Sequence, residues 1–257
     1  MHTINLDKKS IYTDLVYDAK NKLKTSKKKV YSKDIKSITL EDKENKYTTI
    51  FYKDITDRDN YKLVQDSFIK ELKKYLKPNI EDKILVVGLG NEKSTPDSLG
   101  PSTINNILVT SHLFLLGDVE EGYSNVCSFS PNVVGNTGIE TSNLIKSIIK
   151  DVKATKVIVI DSLKTNDLKR VNKIIQITDF GISPGSGIGN KRSEISKKTM
   201  NIDVIAIGVP TVVGLENEFI LTPTNIDFMI DKLSLLIGNG INNVLHKNFI
   251  RHNNYLK

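Results

Sequence analysis

Cysteine is all but missing from this sequence. Cys127 stands alone among 257 residues, so no internal disulfide can form, and the redox compartment is left open. No motif surrounds it, and it reads as buried filler. Histidine is sparse as well. His2, His112, His246 and His252 are scattered, and none has the spacing of a metal-binding motif such as H-E-x-x-H. No cysteine or histidine cluster is available to hold a metal, and no cofactor is expected. No run approaches the ~20 apolar residues of a membrane span. The opening stretch MHTINLDKKSIYTDL lacks the apolar core of a secretory signal, so the expectation is a cytoplasmic protein without a membrane partner. A G-x-S-x-G nucleophile elbow is absent, as are the Gly-Lys-Ser/Thr order of a P-loop and a dinucleotide fingerprint.

What is present points to a compact α/β domain. Hydrophobic residues make up 39% of the chain, enough for a sizeable core. The formal charge of +7 is uneven. Residues 1–80 hold 19 Lys and Arg against 12 Asp and Glu, whereas residues 81–257 hold 18 of each. A basic segment therefore precedes a neutral one. A solvated lysine surface explains it; contact with an acidic protein is the sharper alternative. No aromatic interleaving accompanies the lysines, so direct nucleic-acid binding is not expected.

Three short, β-branched apolar runs read as buried parallel strands: Ile84–Leu89, Val157–Ile160 and Val204–Ile207. Ile174–Ile177 and Tyr47–Tyr52 are further strand candidates. Helical spacing covers Tyr61–Leu76, with Leu63, Phe68, Leu72 and Leu76 on one face and Pro78 ending it. It recurs near 102–114, 139–150 and 225–245, the last with Thr222 or Thr224 as cap. The alternation predicts an open, mostly parallel α/β sheet with helices on both faces and an N-terminal elaboration.

In such sheets, function collects at the carboxyl ends of strands. Asp97 in STPDSLGP, Asp161 in VIDSL, and the segment Gly208-Val-Pro-Thr211 leave such ends. Alone, Asp97 could serve a helix dipole and Asp161 a helix cap. As a pair they could not both ionise cheaply. One would keep a proton while the other acts as base on a water. A glycine-dense loop, Pro184 to Arg192, offers Gly185, Ser186 and Gly187 for binding an oxyanion and Lys191 and Arg192 for binding substrate; a plain tight turn is the other reading.

Taken together, VVGLGN with STPDSLGP, TGIETSNLIK, VIDSL, RVNKIIQITDFGISPGSGIGNKR, DVIAIGVPTVV and LTPTNIDFMIDKLSLLIGNGINNVLH resemble the germination protease family. The strings cover most of residues 84–213 and 221–246. The resemblance implies an atypical aspartic-type endopeptidase, without metal, that begins degrading small acid-soluble spore proteins in the germinating spore core. It places the essential aspartates on Asp97 and Asp161. It implies a sheet like that of hydrogenase maturation proteases, a homotetramer, and synthesis as an autoprocessed zymogen. TDLVYD resembles the self-processing site, with the cut between Asp14 and Leu15. Residues 1–14 would then be a propeptide and 15–257 one protease domain, basic to about residue 80.

The sequence departs from the family in three places. Only Gly214 to Leu221 bridge the VPTVV string and the last helix, where a long insertion is usual. Gly214 stands where aspartate is common, and Phe180 replaces a small polar residue. Two other readings stay open on the same scaffold: a catalytically silent binding or regulatory homologue, and a nickel-dependent maturation peptidase.

Overall fold

The computed structural model describes residues 24–41, 45–185, 192–214, 220–247 and 249. Asp14 and Leu15 of the expected processing site, and Ser186, Gly187 and Lys191 of the glycine loop, lie outside the described residues. The described strands are β1 (Lys24–Ser32), β2 (Ile35–Glu41), β3 (Lys46–Tyr52), β4 (Lys83–Gly88), β5 (Asn125–Phe129), β6 (Lys156–Thr165), β7 (Ile174–Thr178), β8 (Asp203–Gly214) and β9 (Ile220–Leu221). The helices are α1 (Arg58–Leu72), α2 (Leu99–Ile104), α3 (Ser111–Leu116), α4 (Val134–Thr137), α5 (Thr141–Val152), α6 (Lys197–Met200) and α7 (Ile226–Leu245).

All nine strands join one α/β sheet in the order β1-β2-β3-β7-β8-β6-β4-β5, with β9 added to β8. The strands β8, β6, β4 and β5 run parallel. The N-terminal elaboration is the antiparallel meander β1-β2-β3, which joins the rest through β7. The exposed Lys27, Lys28 and Lys29 sit on β1, the outer strand, where lysine discourages pairing with another chain.

The central strands are apolar on both faces because both faces are covered. Ile84, Val86, Ile158, Ile160, Ile205 and Ile207 pack with Phe68 and Leu72 of α1 and Leu233 and Ile237 of α7. Their alternates Leu85, Val87, Val157, Val159, Val204 and Ala206 pack with Ile145 and Ile149 of α5 and Met200 of α6. Period-two alternation thus distributes one strand sequence between two cores.

The structure corrects several boundaries. Helix α1 begins at Arg58, capped by the Asp57 carboxylate, and turns Tyr61, Val64, Phe68 and Leu72 inward, while Leu63 is 41% exposed. The pattern near 102–114 is two helices. Between them Asn106 and Thr110 are held by buried polar contacts: the Asn242 amide donates to Asn106 O at 2.8 Å, and Thr110 Oγ1 donates to Ser124 O at 2.6 Å. The N-cap of α7 is Asn225, and Thr222 instead donates to Thr211 O at 3.3 Å. Phe180 has a packing role, stacked on Tyr47 with centroids 5.8 Å apart.

Candidate active site

The site forms where one strand stops and its neighbours continue. β4 ends at Gly88, paired with Ile160, while β6 runs on through Asp161 to Thr165 and β8 through Gly208 to Gly214. Asp161, paired with Gly208, is therefore within a strand, and the helix-cap reading falls away because no helix begins there. Pro210 does not end β8 either. Pro210 pairs with Leu163 and Val212 with Lys164, leaving Thr211 as a bulge between them. Proline cannot donate to a ladder, and a bulge is one of the places a sheet tolerates it.

Asp97 comes from the loop that leaves β4. A single 3₁₀ turn, Thr95–Asp97, carries it ahead of α2. The loop folds tightly because two glycines permit it. Gly90 has φ +112°, and a side chain there would place its Cβ 2.0 Å from Asp97 O. A Cβ on Gly100 would lie 2.1 Å from Leu89 O. The Asn91 N–H then donates to both Asp97 O and Asp97 Oδ2, each at 3.0 Å.

Both carboxylates line the same two cavities. The larger, about 310 Å³, is walled by Pro96, Leu163, Val212 and Ile220 with Lys164 and Thr211. The smaller, about 120 Å³, shares Gly185 with the larger and adds Gly90, Asn132, Thr141 and Arg192. Of the expected loop residues, Gly185 and Arg192 line a cavity with the aspartates. Arg192 also faces Glu140 at 3.9 Å, a loose ion pair. Burial pushes Asp97 up to about 6, against the opposing Asn91 N–H. Asp161 is only 6% exposed. Burial first, then the negative charge of Asp97, holds it well above the ordinary carboxylate range, although the Ser162 N–H donates to it at 2.9 Å. A titratable pair of this kind shares protons as a unit.

Sequence reasoning marked Thr211 only as the end of the Gly208–Thr211 segment and gave no role to Asn91 or Lys164. Asn91 lies inside the VVGLGN string, but its role is carried by its main chain and leaves no side-chain signal. Lys164 follows Asp161 closely on β6. Its stem crosses Gly214, where a Cβ would lie 2.0 Å from Lys164 Cε, so the glycine at this position leaves room for the lysine.

Fold and cleft together define an α/β protein with one buried and one half-buried carboxylate at the carboxyl ends of its parallel strands, a class equipped for acid–base chemistry on a bound substrate. The sequence profile described as germination protease matches residues 5–216, and the chain belongs to the germination protease family. The germination protease of Geobacillus sp. (strain WCH70) is 51% identical over 172 residues, which cover 65% of this chain and 45% of that protein. That of Oceanobacillus iheyensis is 41% identical over 252 residues, 86% of this chain and 68% of that one. That of Priestia megaterium is 38% identical over 258 residues, 88% and 69%. The chain thus spans about half the length of the first of these relatives and about two thirds of the other two. Among solved structures, a [NiFe] hydrogenase maturation protease, HycI from Thermococcus kodakarensis, is similar at TM-score 0.39 and 15% identity, over 66% of this chain and 98% of that one.

Proposed function

We propose that this chain is an endopeptidase that cleaves small acid-soluble spore proteins during germination through water activated by Asp97 and Asp161. The observation that supports it most strongly is that the two aspartates marked by the family's motifs line one cleft and interact electrostatically. Near neutral pH the pair holds one proton. Asp161, more enclosed and facing a like charge, keeps it. Asp97 ionises first and is steadied by the Asn91 N–H.

The chemistry follows from that division. Asp97 takes a proton from water as the water oxygen attacks the peptide carbonyl carbon. Asp161 gives its proton to the carbonyl oxygen, so charge does not accumulate there. As the tetrahedral intermediate collapses, Asp97 passes its proton to the leaving nitrogen, the C–N bond breaks, and Asp161 recovers its own proton. The larger cavity, walled by Pro96, Leu163, Val212 and Ile220, suits an apolar side chain. Lys164 and Arg192, on the two cavities, favour an acidic substrate. Autoprocessing at Asp14–Leu15 and assembly as a homotetramer are part of the same proposal and rest on the family resemblance.

The test is incubation of the chain, after a mild acid shift that allows processing, with a purified small acid-soluble spore protein, with and without chelator, read by mass spectrometry. Cleavage unaffected by chelator is expected. An intact substrate would favour a silent binding homologue, and chelator-sensitive cleavage a metal peptidase. After a mild acid shift the same spectra report whether residues 1–14 leave the chain, and whether they stay in Asp97→Asn.

A further inference from the structure

Thr211 is completely buried, yet it is the extra residue of the β8 bulge and has no ladder partner on β6. Bulges between parallel strands are rare, and bulges beside active sites re-aim a side chain. Here the re-aimed group is the hydroxyl. Thr211 Oγ1 donates to Pro96 O at 2.6 Å, and both residues line the larger cavity with the two aspartates. Pro96 sits in the single turn that carries Asp97.

The turn's other recorded bonds are local to the β4 loop. The Asp97 N–H donates to Ser94 O at 2.8 Å, and Asn91 holds the Asp97 carbonyl and carboxylate. These shape the loop, whose base is tied to β6 by the Leu89 N–H donating to Ile160 O at 2.8 Å, but none of them ties the turn itself to β6 or β8. The bond from Thr211 crosses from β8, the strand laddered to β6 at Asp161 and Gly208. It therefore links the turn that carries Asp97 to the framework that carries Asp161.

Resting on the aspartate-pair reading, we propose that Thr211 is a positioning residue: its hydroxyl, aimed by the bulge, holds the Pro96–Asp97 turn at the distance from Asp161 that catalysis requires. It touches no reacting atom. Its role is to keep the two carboxylates within reach of one water and one shared proton. Loosening the tether moves the negative charge of Asp97 away from Asp161, removing part of what holds the Asp161 carboxyl high.

Thr211→Val keeps the shape and loses the donor, while Thr211→Ser keeps the donor and loses a methyl. With the protein substrate, kcat of Thr211→Val should fall by roughly 10- to 100-fold, the scale set by misplacing a catalytic group by about 1 Å, with KM little changed. The alkaline limb of its pH profile should move to lower pH. Thr211→Ser should stay near wild type in both. Should Thr211→Val fail to fold, Thr211→Ala takes its place in the same comparison. Titration of ¹³C-labelled aspartate carboxyls by NMR reads the tether without turnover: the Asp161 midpoint should drop in the variant lacking the hydroxyl and recover in Thr211→Ser. A wild type that cleaves nothing would defeat the proposed function while leaving this titration to decide the tether. Unchanged titration and turnover in Thr211→Val, or an equal loss in Thr211→Ser, would overturn the proposal.

Discussion

At the scale of single residues, an enclosed acid costs the fold what it supplies to the site. Asp161 titrates high in the folded chain and near 3.9 in the unfolded one. Its contribution to stability is fully present below about pH 3.9 and is lost as pH rises through its folded value. Asp161→Asn keeps an oxygen for the Ser162 N–H and removes the charge. The variant should therefore melt higher than wild type at pH 8, by roughly 2–4 °C for each kcal/mol recovered in a chain of this size. The advantage should vanish near pH 4, where the native carboxyl is already neutral, and thermal denaturation at the two pH values decides it. A variant no more stable at pH 8 would mean that the buried carboxyl carries no such cost. Asp97 supplies the matching expectation for rate. If its ionised form is the base, kcat/KM should rise with pH through about 6. A profile flat from pH 5 to 8 would remove Asp97 from that role.

At the scale of elements, what holds the C-terminal helix matters to the site, because α7 packs on α2, which follows directly on the Asp97 turn. Asn242 of α7 is buried and accepts from the Leu108 N–H at 2.9 Å while donating to Asn106 O. Asn242→Ala strands both main-chain partners, which are only partly buried, and should destabilise the fold by about 1–3 kcal/mol, measured by urea denaturation, at roughly 0.5–1.5 kcal/mol per hydrogen bond lost. A loss below about 0.5 kcal/mol would show that water replaces the amide. The strands were legible in the sequence because parallel strands covered on both sides become unbroken β-branched runs, as at Ile84–Leu89 and Val157–Ile160. Other features were not legible, because long-range contacts decide them. Nothing local says that β6 continues past Asp161, that β8 passes Pro210 through a bulge, or that Thr110 breaks a helical pattern to bond Ser124. The two aspartates could be chosen from their strings, but that they line one cleft depends on β4 ending at Gly88 while β6 and β8 continue.

At the scale of the whole molecule, the uneven charge maps onto architecture. The basic N-terminal segment supplies the outer meander β1-β2-β3, and the neutral remainder supplies the parallel strands and the cleft. The short bridge between β8 and α7, where a long insertion is usual in the family, includes β9, whose Ile220 walls the larger cavity. The central claim is that the chain, once residues 1–14 have been removed, hydrolyses peptide bonds with this pair of carboxylates. Its most direct test is the cleavage rate of a small acid-soluble spore protein by wild type, Asp97→Asn and Asp161→Asn, each shown to be folded by circular dichroism. The account predicts cleavage by wild type and a loss of at least about 1,000-fold in both variants, because two groups acting as one unit fail together. Near-normal turnover in either variant would contradict it.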